Sequence, residues 1–135
     1  MEHVSGLKFP EQAIEAVVYE GISRSGSEGS PMRMRASDPV ATRKATLIPE
    51  LGHRHLAQPR RRPPGVDEHR VLFLFLYDVW EKLEGNGIAD AQVAVEKRRR
   101  GVYDYEAAWE WVLAQSQEER TKRFSEMVRG NQRGR

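Results

Sequence analysis

One run of side chains decides what this chain can fold around: Val71, Leu72, Phe73, Leu74, Phe75, Leu76 and Tyr77, continued by Val79, Trp80 and Leu83. So much adjacent apolar surface must leave water. Its alternation, with Leu72, Leu74 and Leu76 on one side and Phe73, Phe75 and Tyr77 on the other, would suit a strand buried on both faces. The flanks point to a helix instead. Asp67 is placed to accept hydrogen bonds from the unpaired amides of a first turn. Val66 and Val71 have the spacing of a hydrophobic staple. Gly85, Asn86 and Gly87 supply residues that tolerate the backbone conformations closing a helix. The spacing therefore predicts a helix over 68–84, apolar all round between 71 and 77 and so surrounded by other elements.

At 135 residues the chain has the size of a single domain, 1–135. An N-terminal helix is expected within 1–21, with Pro10 and Glu11 in its first turn, Ile14, Val17 and Val18 on one face, and Gly21 beyond its end. The alternative is a strand over 14–22, a Ser- and Gly-rich loop, and a return through Met32, Arg33, Met34 and Arg35. That hairpin across residues 14–36 would make the fold α+β. Residues 22–66 carry Pro31, Pro39, Pro49, Pro59, Pro63 and Pro64 among many Ser, Gly and Arg. They read as a long basic irregular segment with a short strand or two, anchored by Leu47, Ile48, Leu51 and Leu56. The helical core is expected over 67–130. Ile88, Ala91, Val93 and Val95 form a short helix ending in Lys97, Arg98, Arg99, Arg100 and Gly101. Asp104 caps the next, whose Tyr105, Ala108, Trp109, Val112 and Leu113 follow at i, i+3, i+4, i+7 and i+8. Ser116 and Glu119 make a capping box for a last helix that buries Phe124, Met127 and Val128. Gly130 is expected to stop it, leaving 131–135 as a frayed tail. The fold class is thus mainly α: a central buried helix, three or four shorter helices and an irregular basic segment.

Cysteine is absent, which removes disulfides, thiolate metal sites and thiol nucleophiles. The apolar run at 71–77 is far short of the ~20 residues a bilayer-crossing helix needs. The start of the chain, with Glu2 and His3, lacks the basic and then apolar pattern of a signal peptide. A cytoplasmic protein without a membrane partner is the expectation. Net charge is only +2, but basic residues concentrate in 22–66 and 116–135 and acidic ones in 1–21 and 67–115, an asymmetry that suits an anionic partner.

The basic clusters carry the favoured functional reading. Arg60, Arg61 and Arg62, then Lys97, Arg98, Arg99 and Arg100, then Arg120, Lys122 and Arg123 with Arg129, Arg133 and Arg135 are candidates for phosphate contacts. Tyr103 and Tyr105, just past the second cluster, are candidates for stacking on bases. The competing explanation is that arginines at helix C-termini complement the macrodipole. A helix-turn-helix does not fit, because the connection from Arg98 to Asp104 is too long. The expected function is non-enzymatic binding of nucleic acid or a nucleoprotein. The alternative is an adaptor or inhibitor: Trp111 falls outside the stripe that buries Trp109, and with Glu106 and Glu110 it would meet a protein partner or a second copy of the chain. His53, His55 and His69 have metal-like spacing but lack a third ligand and a defined geometry, so a metal-dependent enzyme using them is the third and least favoured reading, and neither metal nor cofactor is expected. Carboxylate pairs such as Asp78 with Glu81 and Glu106 with Glu110 read as solvated charges. Ser23, Ser25, Ser27 and Ser30 match no phosphate-binding or nucleophile motif.

Overall fold

A computed structural model describes residues 1–9, 12–26, 30–57, 67–101 and 103–133, the last five as backbone only. The elements in chain order are α1 (Glu2–Ser5), β1 (Ala16–Tyr19), β2 (Met32–Arg35), α2 (Val40–Leu56), α3 (Glu68–Glu84), α4 (Asn86–Lys97), α5 (Tyr105–Leu113) and α6 (Gln117–Arg133). The protein is mainly helical, as the sequence predicts.

Helix α3 is the centre. Asp67 caps it by accepting from the His69 amide at 3.0 Å, and Gly85, at φ 85°, ends it. Helices α1, α2, α4, α5 and α6 all pack against it. Val71 through Leu76 are buried without exception, so the run that alternates like a strand is enclosed on every side of a helix. Each such side chain contributes about 1.5–3 kcal/mol of burial. Phe73 stacks on Trp109 at 4.2 Å between ring centres, and Trp109 on Trp80 at 5.8 Å. The later caps form as the sequence implies: Asp104 accepts from the Ala107 amide at 2.9 Å. Ser116 and Glu119 close their box with bonds of 2.7 and 3.3 Å. Helix α6 does not stop at Gly130; it runs on to Arg133, so 131–133 are helical rather than frayed.

Two parts of the chain depart from expectation. The segment 12–20 forms no helix; Val17 and Val18, β-branched and comfortable on a pleated surface, lie in strand β1. Its partner is β2, as the alternative reading has it, but the pair is parallel, with Val17 opposite Arg33. A two-residue hairpin cannot join parallel strands. Instead the chain returns along the other edge of β2, where Arg24 and Arg33 exchange two backbone hydrogen bonds of 2.9 Å.

The second departure is larger. Residues 40–56, assigned to the irregular basic segment, are the helix α2. Pro49 lies inside it, which removes one backbone hydrogen bond. The buried positions are Pro49, Gly52, His55 and Leu56. A Cβ on Gly52 would sit 2.4 Å from Leu72 Cδ1, so its missing side chain is what lets α2 lie against α3. His55 is fully buried, 3.1 Å from the Ser5 hydroxyl and stacked by Phe9 at 4.2 Å. It ties α1 to the core. Helix start Pro10, staple residue Val66 and the linker around Pro63 and Pro64 lie outside the described residues.

Candidate functional site

The N-terminal strands, α2, α3 and the end of α4 enclose an open cleft of about 790 Å³. Arg24 and Arg33 reach it from the strand segment, Glu50 and His53 from α2, His69 from α3, Arg99 and Arg100 from the end of α4, and Tyr105 from α5. The strand side is held by Arg54, whose Nη1 donates to the carbonyls of Ser25 and Ser30 at 2.8 and 2.9 Å. Gly26 turns there with φ +70°, and a Cβ would meet the Pro31 carbonyl oxygen at 2.6 Å. Only glycine satisfies both conditions.

The far wall is aromatic. His69 packs tilted against Tyr103 at 4.3 Å and meets Tyr105 at 5.3 Å and Phe73 at 5.9 Å. Tyr103 donates its hydroxyl to Asp67 Oδ2, so one carboxylate caps α3 and anchors this wall. Burial lifts the Tyr103 phenol well above its ordinary value, and the hydrogen bond to Asp67 adds to the rise. Burial also lowers His69, with charge at His53 acting in the same direction, against the raising influence of Asp67 and Glu68. His69 is therefore biased toward its neutral form.

Glu50 is the one carboxylate among the described lining residues. Burial raises its carboxyl above the usual range, opposed by His53, Arg99 and the Ser25 amide. Behind it, Glu96 is buried and also raised by burial, although Arg99 lies 3.4 Å from its Oε2. Four arginines thus line a cleft whose carboxylate charge is disfavoured, the Arg33 guanidinium lying over the Tyr19 ring at 5.8 Å.

The residues singled out from sequence are distributed unevenly around this site. Of the second cluster, Arg99 and Arg100 line the cleft, whereas Arg98 folds back to donate to the Ala94 carbonyl and Lys97 lies 3.7 Å from Glu110. Tyr103 belongs to the wall and spends its ring face on His69.

Arg120 is not a surface cation. It is buried in a two-pronged ion pair with Asp78, with a further bond to the Gln115 carbonyl at 2.8 Å. The same contact overturns the reading of Asp78 as a solvated carboxylate, because it is 2 % exposed, whereas Glu81 is half-buried. Lys122 is exposed and 4.0 Å from Glu126. Arg60, Arg61, Arg62 and Arg135 lie outside the described residues, and Arg129 and Arg133 are described as backbone only.

Trp111 is half-buried rather than bare, with the guanidinium groups of Arg70 and Arg123 over its ring at 5.6 and 5.4 Å. Glu106 and Glu110 are exposed. His53 and His55, two residues apart on a helix, project about 200° from one another, so they do not converge. Among the described residues no group of three or more His, Asp or Glu side chains is placed to hold a metal ion, and no helix is long and apolar enough to cross a membrane.

Arg24, Arg33, Glu50 and His53 are the lining residues that sequence reasoning did not bring together as a site. Their chain separation hides them, although the i, i+3 spacing of Glu50 and His53 would place them on one face once α2 is known to be helical. No protein-family model matches the chain, and comparisons with curated proteins and with solved structures returned no match.

Proposed function

We propose that the protein binds a strand of nucleic acid in this cleft. The observation that carries the reading is the convergence of Arg24, Arg33, Arg99 and Arg100, from two distant parts of the chain, on one concave surface with a single carboxylate among its described lining residues. A guanidinium fork matches the oxygens of a phosphate. A positively charged groove with aromatic side chains suits a single strand, since the backbone tracks the charge and a base stacks on a ring. Tyr105, half-buried at the margin, is a lining tyrosine; Arg99 lies over its ring at 5.5 Å, so a base stacks there by displacing that guanidinium onto a phosphate. A duplex is a poorer fit, because its grooves take a projecting helix or ribbon rather than a cleft.

Fluorescence anisotropy with a labelled single-stranded oligonucleotide tests the reading. Arg33→Gln and Arg99→Gln each weaken binding on every sequence alike, because phosphate contacts position without specifying. Lys122→Gln, at a distance from the cleft lining, leaves affinity unchanged. Loss of affinity in Lys122→Gln with none in Arg33→Gln would place the contact elsewhere and end this proposal.

A further inference from the structure

Beside its arginines the cleft holds groups that exchange protons. Glu50 and His53 stand three residues apart on α2, which sets their Cβ atoms about 5–6 Å apart on one helix face, and both line the cleft. His53 Nδ1 lies 2.9 Å from Glu68 Oε1. A carboxylate only accepts, so Nδ1 carries the hydrogen and Nε2 is the nitrogen left to take up or release a proton. The His69 ring packs edge-on against His53 at 5.2 Å, fixing it from the other side. Arg99 and Arg100 come to the same surface from the end of α4. An oriented imidazole, a carboxylate beside it and guanidinium groups within one concave site are the parts that general acid–base cleavage of a phosphodiester needs.

We infer that the cleft cleaves RNA, with Glu50 as general base, His53 as general acid and Arg99 and Arg100 holding the phosphate. The inference rests on the binding reading above and adds a reaction to it. Glu50 accepts the proton of a 2′-hydroxyl while that oxygen forms a bond to the adjacent phosphorus. His53 Nε2 gives its proton to the 5′ oxygen as the P–O5′ bond breaks. The products are a 2′,3′-cyclic phosphate and a 5′-hydroxyl. Nothing is oxidised or reduced, and the nucleophile comes with the substrate, so no co-reactant enters. The guanidinium groups meet the charge that builds on the phosphorane oxygens.

One feature of the surroundings suits these roles. Burial raises the Glu50 carboxyl against the lowering influence of His53 and Arg99, which makes its carboxylate a stronger base. Among the described residues, the other charged or titratable groups around the pair are Glu68 and His69 from α3, Glu96, Arg99 and Arg100 from α4 and its end, Tyr105 from α5, and Arg24 and Arg33 from the strand segment.

The test uses the full chain, a labelled oligoribonucleotide and an all-deoxy oligonucleotide of the same sequence, which binds but lacks the nucleophile, in buffer with a chelator. Wild type is expected to cut the ribose strand, leaving 2′,3′-cyclic phosphate ends. Glu50→Gln and His53→Gln are each expected to slow cutting by at least about 100-fold, with circular dichroism unchanged and the deoxy strand still bound. Wild type that binds the deoxy strand but leaves the ribose strand intact overturns cleavage and leaves the binding reading standing. Failure to bind either strand overturns both. Cutting at equal rates by wild type and both variants, or products without cyclic phosphate ends, also overturns the assignment. A variant that does not fold leaves the product ends made by wild type as the deciding result.

Discussion

Removing the Asp78 carboxylate should be among the most damaging single changes this protein can suffer. In the side chains of the pair, Arg120 is 7 % exposed and Asp78 1 %, so Asp78→Ala strands a guanidinium that water scarcely reaches. Breaking one side of a buried pair typically costs ~3–5 kcal/mol. The Gln115 carbonyl still accepts from Arg120 Nη1, which places the expected loss toward the lower end, about 3 kcal/mol. At roughly 3–4 °C per kcal/mol for a domain near this size, the midpoint of thermal unfolding falls by about 10 °C. Circular dichroism at 222 nm follows it. The double variant Asp78→Leu with Arg120→Met should recover most of the loss, because replacing both members by apolar groups leaves no orphaned charge. A loss below about 1 kcal/mol in Asp78→Ala, or one that vanishes in high salt, would show a solvated pair. That result would return Arg120 to the set of available cations.

The other stability predictions are independent of it. Trp109→Ala should cost ~3–5 kcal/mol, whereas Trp111→Ala should lose about 1–2 kcal/mol, mainly its two guanidinium contacts at ~0.5–1 kcal/mol each; equal losses by urea unfolding would contradict the packing. Gly52→Val should destabilise by ~1–3 kcal/mol through overpacking against Leu72, measured the same way, and a neutral result would mean α2 stands off α3. Glu96 supplies a pH dependence. Its carboxyl is raised above 4.5 in the folded protein, so its contribution to stability is complete below that value and is lost as pH rises through the folded one. Glu96→Gln should therefore raise the unfolding midpoint at pH 7, with the advantage shrinking toward pH 4; a lowered midpoint at pH 7 would show that the ion pair with Arg99 outweighs burial.

Where local chemistry decides, the sequence is legible. Asp67 and Gly85 mark both ends of α3, and Asp104, Ser116 and Glu119 place the starts of α5 and α6 to the residue. Helix α2 is hidden because its inward stripe, the half-buried Ile48 and Leu51 with the buried Gly52, His55 and Leu56, keeps helical spacing but fills two positions with residue types that do not announce burial. Pro49 inside the same turn completes the disguise. Strand β1 fails differently: Ile14, Val17 and Val18 fit a helix face as well as a strand, and only pairing with Met32, Arg33, Met34 and Arg35 chooses between them. The arginine clusters are visible as composition, yet their fates depend on partners far along the chain. Arg120 meets Asp78 across 42 residues. Arg99 and Arg100 meet Arg24 and Arg33 only because β2 is threaded between two neighbours.

The central claim is that four arginines of this cleft hold phosphates, and the salt dependence of binding tests it most directly. Each phosphate neutralised on a single strand contributes about −0.7 to the slope of log K against log salt, so four contacts predict a slope near −2.8. Replacing Arg24, Arg33, Arg99 and Arg100 together by Gln should flatten it to near zero, while the far-ultraviolet spectrum stays that of the wild type. A slope unchanged by the four substitutions, or no binding by the wild type in low salt, would contradict the account.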